Sequence, residues 1–173
     1  HYFMKKILGL DISSSTIGWA VLVVDGDEIL LDSYGHLKPP GSSKGSLAYR
    51  ISIAYNLCRD VLLLKDPDVI AVEAYANKFS PGRSSARTII VLSVFNEMIC
   101  MLCLRDLNKE PYRYAVSTIR SSISKFLGKK MVSKNDNLDL IEDYFYNFKT
   151  SLNRNNKIKK ECYDEADAIS VAL

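Results

Sequence analysis

The chain reads as an α/β fold: a mixed sheet that opens with an antiparallel hairpin or meander and is covered by helices on both faces. Three observations carry that reading. Lys5 to Leu37 forms three successive strand-like segments joined by short polar turns. Downstream, strand-length and helix-length apolar segments alternate, the pattern of elements crossing over a sheet. One of them, "PDVIAVEAY", is short and nearly continuously apolar, the kind of strand that helices bury on both sides.

Each element has its local reason. "KILGLDI" is apolar with alternation, "STIGWAVLVVDG" is rich in β-branched residues, and "DEILLDSYGHL" follows a turn at Asp25-Gly26. "LKPPGSSKGS" is a loop by its Pro, Gly and Ser content. From Ser46 the apolar residues fall at helical spacing and stop before Pro67. After the central strand, "KFSPGRSSART" is a loop. Thr88–Leu107 is then a helix apolar around most of its circumference, more than one core-facing stripe requires. "PYRYAVS" is a further strand. "TIRSSISKFLG" and "SKNDNLDLIEDYFYNF" are helices, the second with Ser133 as N-cap. A polar linker leads to a last helix, "YDEADAISVAL", which Asp164 and Asp167 open. His1 to Phe3, ahead of Met4, read as an expression scar, leaving 4–173 as a single domain.

Composition is that of a globular protein, 47% hydrophobic and 25% charged, with no disordered signature. No apolar run is expected to reach the roughly 18 residues of a membrane span, and no secretory signal is recognisable, so the expected compartment is cytoplasmic with no membrane partner. Cys100 and Cys103 have zinc-like spacing, but no second pair completes a tetrahedral site, so the four cysteines are expected to be buried thiols. With His36 the one histidine beyond the scar, any catalysis must come from carboxylates. Net charge is only +3. Its distribution is uneven: Arg113, Arg120, Lys125, Lys129, Lys130 and Lys134 follow one another without an intervening acid. A second basic cluster, "NRNNKIKK", precedes the last helix. Such runs are the footprint of a phosphate-binding face or, more simply, a solvated surface.

The acids occupy telling places. Asp11 closes the first strand, Glu73 ends the central one, and Asp164 and Asp167 share one face of the last helix. A carboxylate in a buried strand is costly unless compensated, and neighbouring carboxylates raise each other's pKa unless a cation sits between them. Each acid alone has a bland reading as a turn former, a paired strand-end charge or helix-dipole decoration. Their joint occurrence favours all-oxygen ligation of Mg²⁺, with Mn²⁺ as a substitute. Two such ions about 4 Å apart would clamp a phosphodiester.

"LGLDIS" before "GWAV", "PDVIAVEAY", and the "DEADAISVAL" ending together resemble RuvC, the Holliday-junction resolvase branch of the RNase H-like nucleases. The resemblance implies an RNase H-like domain, with Asp11, Glu73, Asp164 and Asp167 as catalytic, metal-binding carboxylates holding two Mg²⁺ ions. It implies hydrolysis of branched DNA, four-way junctions and also forks and flaps, leaving 5′-phosphate and 3′-hydroxyl ends, in recombination and repair. It implies a homodimer through the 88–107 helix, and a DNA-binding loop with Tyr75 and Phe79 for bases and Lys78, Arg83 and Arg87 for phosphates. By the same resemblance, Arg120 and Lys134 fall near where the family carries basic residues close to the scissile phosphate, with Lys125, Lys129 and Lys130 along the same basic run as further expected DNA-binding residues. The turn "DISSSTIGWA" departs from the Pro-Gly of bacterial members, which suggests a diverged, phage-encoded type in a bacterial or infected host cell. Two other readings stay open: an RNase H-like enzyme on RNA–DNA hybrid, and a non-catalytic nucleic-acid-binding protein on the same fold.

Overall fold

The computed structural model describes residues 4–75, 85–130 and 133–173. Five strands form one sheet: β1 (Lys5–Ile12), β2 (Ile17–Asp25), β3 (Glu28–Leu37), β4 (Val69–Glu73) and β5 (Tyr112–Tyr114). Their spatial order is β3-β2-β1-β4-β5, antiparallel through β1 and parallel from β1 to β5. The helices are α1 (Leu47–Lys65), α2 (Ala86–Leu107), α3 (Val116–Leu127), α4 (Lys134–Tyr144) and α5 (Lys160–Ala172). A 3₁₀ turn, Ser42–Lys44, lies in the loop before α1.

Side-chain alternation assigns the two faces. Leu8, Leu10, Ile17, Val21, Ile70 and Val72 pack with Ala54, Cys58 and Leu62 of α1 and Phe95, Ile99 and Leu102 of α2. The opposite face packs Ala20, Leu22 and Leu31 against Leu138 and Ile141 of α4 and Ala166, Ala168 and Ile169 of α5. Ala71 meets Ile119 and Ile123 of α3 and Val171 of α5. Local signals start the helices as expected. Ser46 accepts from the Tyr49 N–H, and Ser133 forms a reciprocal capping box with Asp136.

Two expectations change. The last helix begins at Lys160, so Asp164 and Asp167 lie a full turn inside it rather than opening it. The bland reading of the pair as first-turn dipole decoration loses its geometry, because that effect fades beyond the first turn. Second, α2 is long and apolar enough, by length and composition, to cross a membrane, contrary to the expectation that no segment reaches that mark. Here it buries Phe95, Asn96, Met98, Ile99, Cys100, Leu102 and Cys103 against the rest of the domain. All four cysteines are buried and free, and burial pushes the Cys58 and Cys103 thiols up to about 12.

Candidate active site

Strand register brings the first two acids together. Leu10 pairs with Val72 across β1 and β4, so Asp11 and Glu73 are the next residues on neighbouring parallel strands. Because Leu10 and Val72 face α1 and α2, Asp11 and Glu73 face α5. Both carboxylates therefore stand at the carboxyl end of the sheet, on the same side.

α5 supplies the other two, and glycines let it come close enough. A Cβ on Gly9 would lie 2.2 Å from the Ala168 carbonyl oxygen, and one on Gly18 would lie 2.3 Å from that of Asp164. Gly18 is the β2 partner of Asp11. The helix thus rests on bare backbone where Asp164 must reach Asp11. Among the described residues, carboxylate oxygens of Asp11, Asp164 and Asp167 approach within 4.8 Å of one another. Glu73 stands outside this trio but lines the same pocket, about 100 Å³ in volume, with Asp11, Asp167, Arg120, Lys134 and Asn137.

Hydrogen bonds orient the members. Asn137 of α4 donates its Nδ2–H to Asp167 Oδ1 at 2.8 Å, and its own Oδ1 accepts from the Ser170 hydroxyl at 2.6 Å. Lys134 Nζ lies 3.7 Å from Asp167 Oδ2. Asn96, buried in α2, donates to the Glu73 carbonyl at 2.9 Å and so ties the end of β4 to the opposite layer. His36 Nδ1 meets Glu165 Oε1 at 2.6 Å, fastening β3 to α5 beside Asp164.

The electrostatics are unfavourable as they stand. Burial first, then repulsion from Asp167, Glu73 and Asp164, holds the Asp11 carboxyl well above the usual range. Burial also raises Glu73, Asp164 and Asp167, while Lys134 pulls all three down. Asp164 Oδ2 is buried and has no hydrogen-bond partner among the described residues. Buried polar atoms are nearly always satisfied, so an orphan oxygen among crowded carboxylates calls for a cation. The all-oxygen donor set fits a hard divalent ion such as Mg²⁺ or Mn²⁺, which Asp11, Asp164 and Asp167 would hold.

Arg120 and Lys134 reach the pocket, whereas Lys125, Lys129 and Lys130 stand exposed around the end of α3. Tyr75 is half-buried two residues past Glu73, and Arg87 is exposed in the first turn of α2; neither lines the acidic pocket. Lys78, Phe79 and Arg83 lie outside the described residues. Sequence reasoning did not single out Asn96, Asn137, Ser170 or the His36–Glu165 pair. The two asparagines carried a signal, since each falls on the buried side of its helix, where an amide needs a partner.

No family model matches the chain. A crossover junction endodeoxyribonuclease RuvC from Dehalococcoides mccartyi is 32% identical over 74 residues, 42% of this chain and 44% of that protein, so the match spans less than half of the relative's length. Among solved structures, Thermus thermophilus RuvC in complex with a Holliday junction substrate superposes with a TM-score of 0.69 at 14% identity, covering 96% of this chain and 90% of that one. The yeast mitochondrial Holliday junction resolvase Ydc2 gives 0.68 at 13% identity over 99% and 77%. Strand order and these superpositions show an α/β fold of the RNase H-like kind. The chain is similar to RuvC in sequence over the matched segment and in fold over 96% of its length.

Proposed function

We propose that the chain is a divalent-metal-dependent endonuclease that resolves four-way DNA junctions, leaving 5′-phosphate and 3′-hydroxyl ends. The observation that carries this is the convergence of Asp11, Asp164 and Asp167 around an orphaned buried oxygen, beside a pocket with Glu73, Arg120 and Lys134 on its walls. Bound Mg²⁺ ions would supply an activated water and charge stabilisation at the phosphate. The chain's own groups do the rest. Asp11, Asp164 and Asp167 hold the cations, with Glu73 completing the ligand set from the pocket wall. Asn137 keeps Asp167 turned inward, and Arg120 and Lys134 receive the scissile phosphate's charge.

α2 supports a homodimer, as resolution of a junction needs two opposed cuts. Its outer side leaves Ile90, Met101 and Leu104 about half exposed, an apolar stripe that a second copy would cover. Tyr75 and Arg87, with Lys78, Phe79 and Arg83 between them in sequence, would meet the junction, and Lys125, Lys129 and Lys130 would follow an arm. The setting is DNA recombination and repair in the cytoplasm of a bacterium or a phage-infected cell.

The test is a Mg²⁺-dependent cleavage panel on four-way junction, fork, flap, linear duplex and RNA–DNA hybrid, with wild type and Glu73→Gln. Paired symmetric nicks in the junction, absent in the variant, are the expected result. Cleavage confined to the hybrid would transfer the same site to an RNase H reading. No cleavage of any substrate would leave a binding protein.

A further inference from the structure

From Asn153 to the first residue of α5 the chain carries four cations that the catalytic reading leaves unused: Arg154, Lys157, Lys159 and Lys160. This segment is a built hairpin rather than a loose linker. Leu152 and Ile158 form an antiparallel bridge. The Asn153 N–H donates to the Lys157 carbonyl at 2.7 Å, and the Asn156 N–H donates to the Asn153 carbonyl at 3.0 Å. The Asn153 side-chain oxygen accepts from the N–H groups of Asn155 at 2.9 Å and Lys157 at 3.1 Å. Asn156 adopts a left-handed φ of 56°, a conformation asparagine tolerates better than most residues. The Lys159 N–H closes the base on the Ser151 carbonyl at 2.9 Å.

All four cations are exposed, and among the described residues no ion pair engages any of them. The nearest acid in sequence, Glu161, is paired with Lys38. Unpaired like charges held on an ordered support repel one another, an arrangement that binding a polyanion relieves.

Position narrows the partner. The chain entering the hairpin runs along β3: Asn147 donates to the Leu31 carbonyl, and the Lys149 N–H donates to the Tyr34 hydroxyl. The hairpin therefore stands at the β3 side of the carboxyl end of the sheet. It leads directly into α5, where the charge of Lys160 pulls the Asp164 carboxyl down from one turn away. Arg120 arrives from the other direction, on α3 above β4, with the exposed Lys125, Lys129 and Lys130 beyond it. The acids thus lie between two separate basic regions.

We propose that the 152–158 hairpin, with Lys159 and Lys160, is a second phosphate-binding station that grips the DNA backbone on the opposite side of the cleavage centre from the α3 run. This rests on the nuclease reading. With both stations engaged, the substrate strand is held on each side of the phosphate to be cut, which adds to affinity and leaves the chemical step to the acids.

The experiment compares wild type, the triple variant Arg154→Gln/Lys157→Gln/Lys159→Gln, and Asn153→Ala, which keeps the charges but loosens their support. Affinity for a synthetic four-way junction is measured without divalent cation across a salt series, and single-turnover cleavage with Mg²⁺ at saturating protein. The triple variant is expected to lose about 10-fold or more in affinity at low salt. Its plot of log K against log salt should flatten by about 2–3, near 0.9 for each phosphate it no longer neutralises. Its saturated cleavage rate stays at the wild-type value, and Asn153→Ala shows a smaller loss of affinity. A slope equal to wild type, with wild type binding and cutting, overturns the station and leaves the nuclease intact. A fall in saturated rate with unchanged affinity also overturns it, because the hairpin would then act on the centre rather than on binding. If wild type neither binds nor cuts any DNA, the nuclease reading falls and the station falls with it.

Discussion

The two faces of the sheet are built from different residues. Toward α1 and α2 the strands present Leu8, Leu10, Ile17, Val21, Ile70 and Val72, large aliphatic side chains that form one buried core with those helices. The other face carries Leu22 and Leu31 as well, but where α5 crosses closest it presents Gly9, Gly18, Ala20 and Ala71, and α5 answers with Ala166, Ala168 and Ala172. The first face is a stability device: burying each such side chain is worth about 1.5–3 kcal/mol. The second gives up side-chain volume so that backbone meets backbone, and uses the closeness to set acids from a helix against an acid from a strand. The layers are nevertheless linked, because Asn96 of α2 holds the carbonyl of Glu73.

Exchanging the burdens of the two faces separates them. The largest effect should follow Glu73→Gln or Asp167→Asn: cleavage falls by on the order of 10³-fold or more, since each 1.4 kcal/mol of transition-state stabilisation removed is tenfold in rate. Junction binding should hold or tighten, as a negative charge facing phosphate is removed. Leu8→Ala, on the other face, should cost about 2–5 kcal/mol of stability while the folded fraction still cuts at the normal rate. Thermal denaturation alongside single-turnover rates distinguishes these outcomes.

Next in size is Gly9→Val. The new side chain would strike the Ala168 carbonyl, so α5 must move. Overpacking typically costs about 1–3 kcal/mol, or several degrees in Tm for a chain of this size. Cleavage should fall out of proportion to that loss because Asp164 and Asp167 move with the helix. A variant that melts early but cuts normally would show that the close approach does not set the site.

A subtler contrast lies in pH dependence. The Asp11, Glu73, Asp164 and Asp167 pKa values are raised in the fold, chiefly by burial. For such groups the stabilising contribution is fully present below the ordinary carboxylate range and is lost as pH rises through the raised values. Metal-free protein should therefore lose stability on going from acid toward neutral pH. Asp11→Asn should flatten that decline and raise the metal-free Tm at pH 7 by a few degrees. Mg²⁺ should raise Tm in wild type and much less in the variant, because binding adds stability only where the ligands remain. Scanning calorimetry with and without Mg²⁺ reads all three.

The smallest effect on the fold should come from the outer side of α2. Leu104→Glu changes a half-exposed position, so stability should change by no more than about 0.5 kcal/mol, the usual range for surface substitutions. Sedimentation should nonetheless show a shift from dimer toward monomer, and paired cutting of a junction should give way to single nicks. Unchanged sedimentation in a dimeric protein would move the interface elsewhere.

Much of this was legible in the chain because it is local. Alternation in Lys5–Leu37, helical spacing from Ser46, and the Ser133 cap each depend on residues within a few positions, and the order of elements follows from them. The acids were legible by type and by their places at element ends. What stayed hidden was convergent. Nothing near Asn137 in sequence announces that its amide meets Asp167, thirty residues on. Gly9 and Gly18 read simply as strand glycines until a helix is laid across them. Polar residues ahead of Tyr163 masked the first turn of α5, since exposed helical turns need no apolar periodicity.

By itself, then, the sequence determined which strands and helices form, in what order, and that carboxylates must carry any chemistry. Only tertiary structure decided that three of them crowd within 4.8 Å while Glu73 faces them from the pocket wall. It also decided that the basic segment before α5 is an ordered hairpin closed by the Leu152–Ile158 bridge. The reason is physical: periodicity and capping are written in neighbouring residues, whereas the approach of α5 to the sheet depends on which side chains are missing from two strands at the opposite end of the chain from the helix.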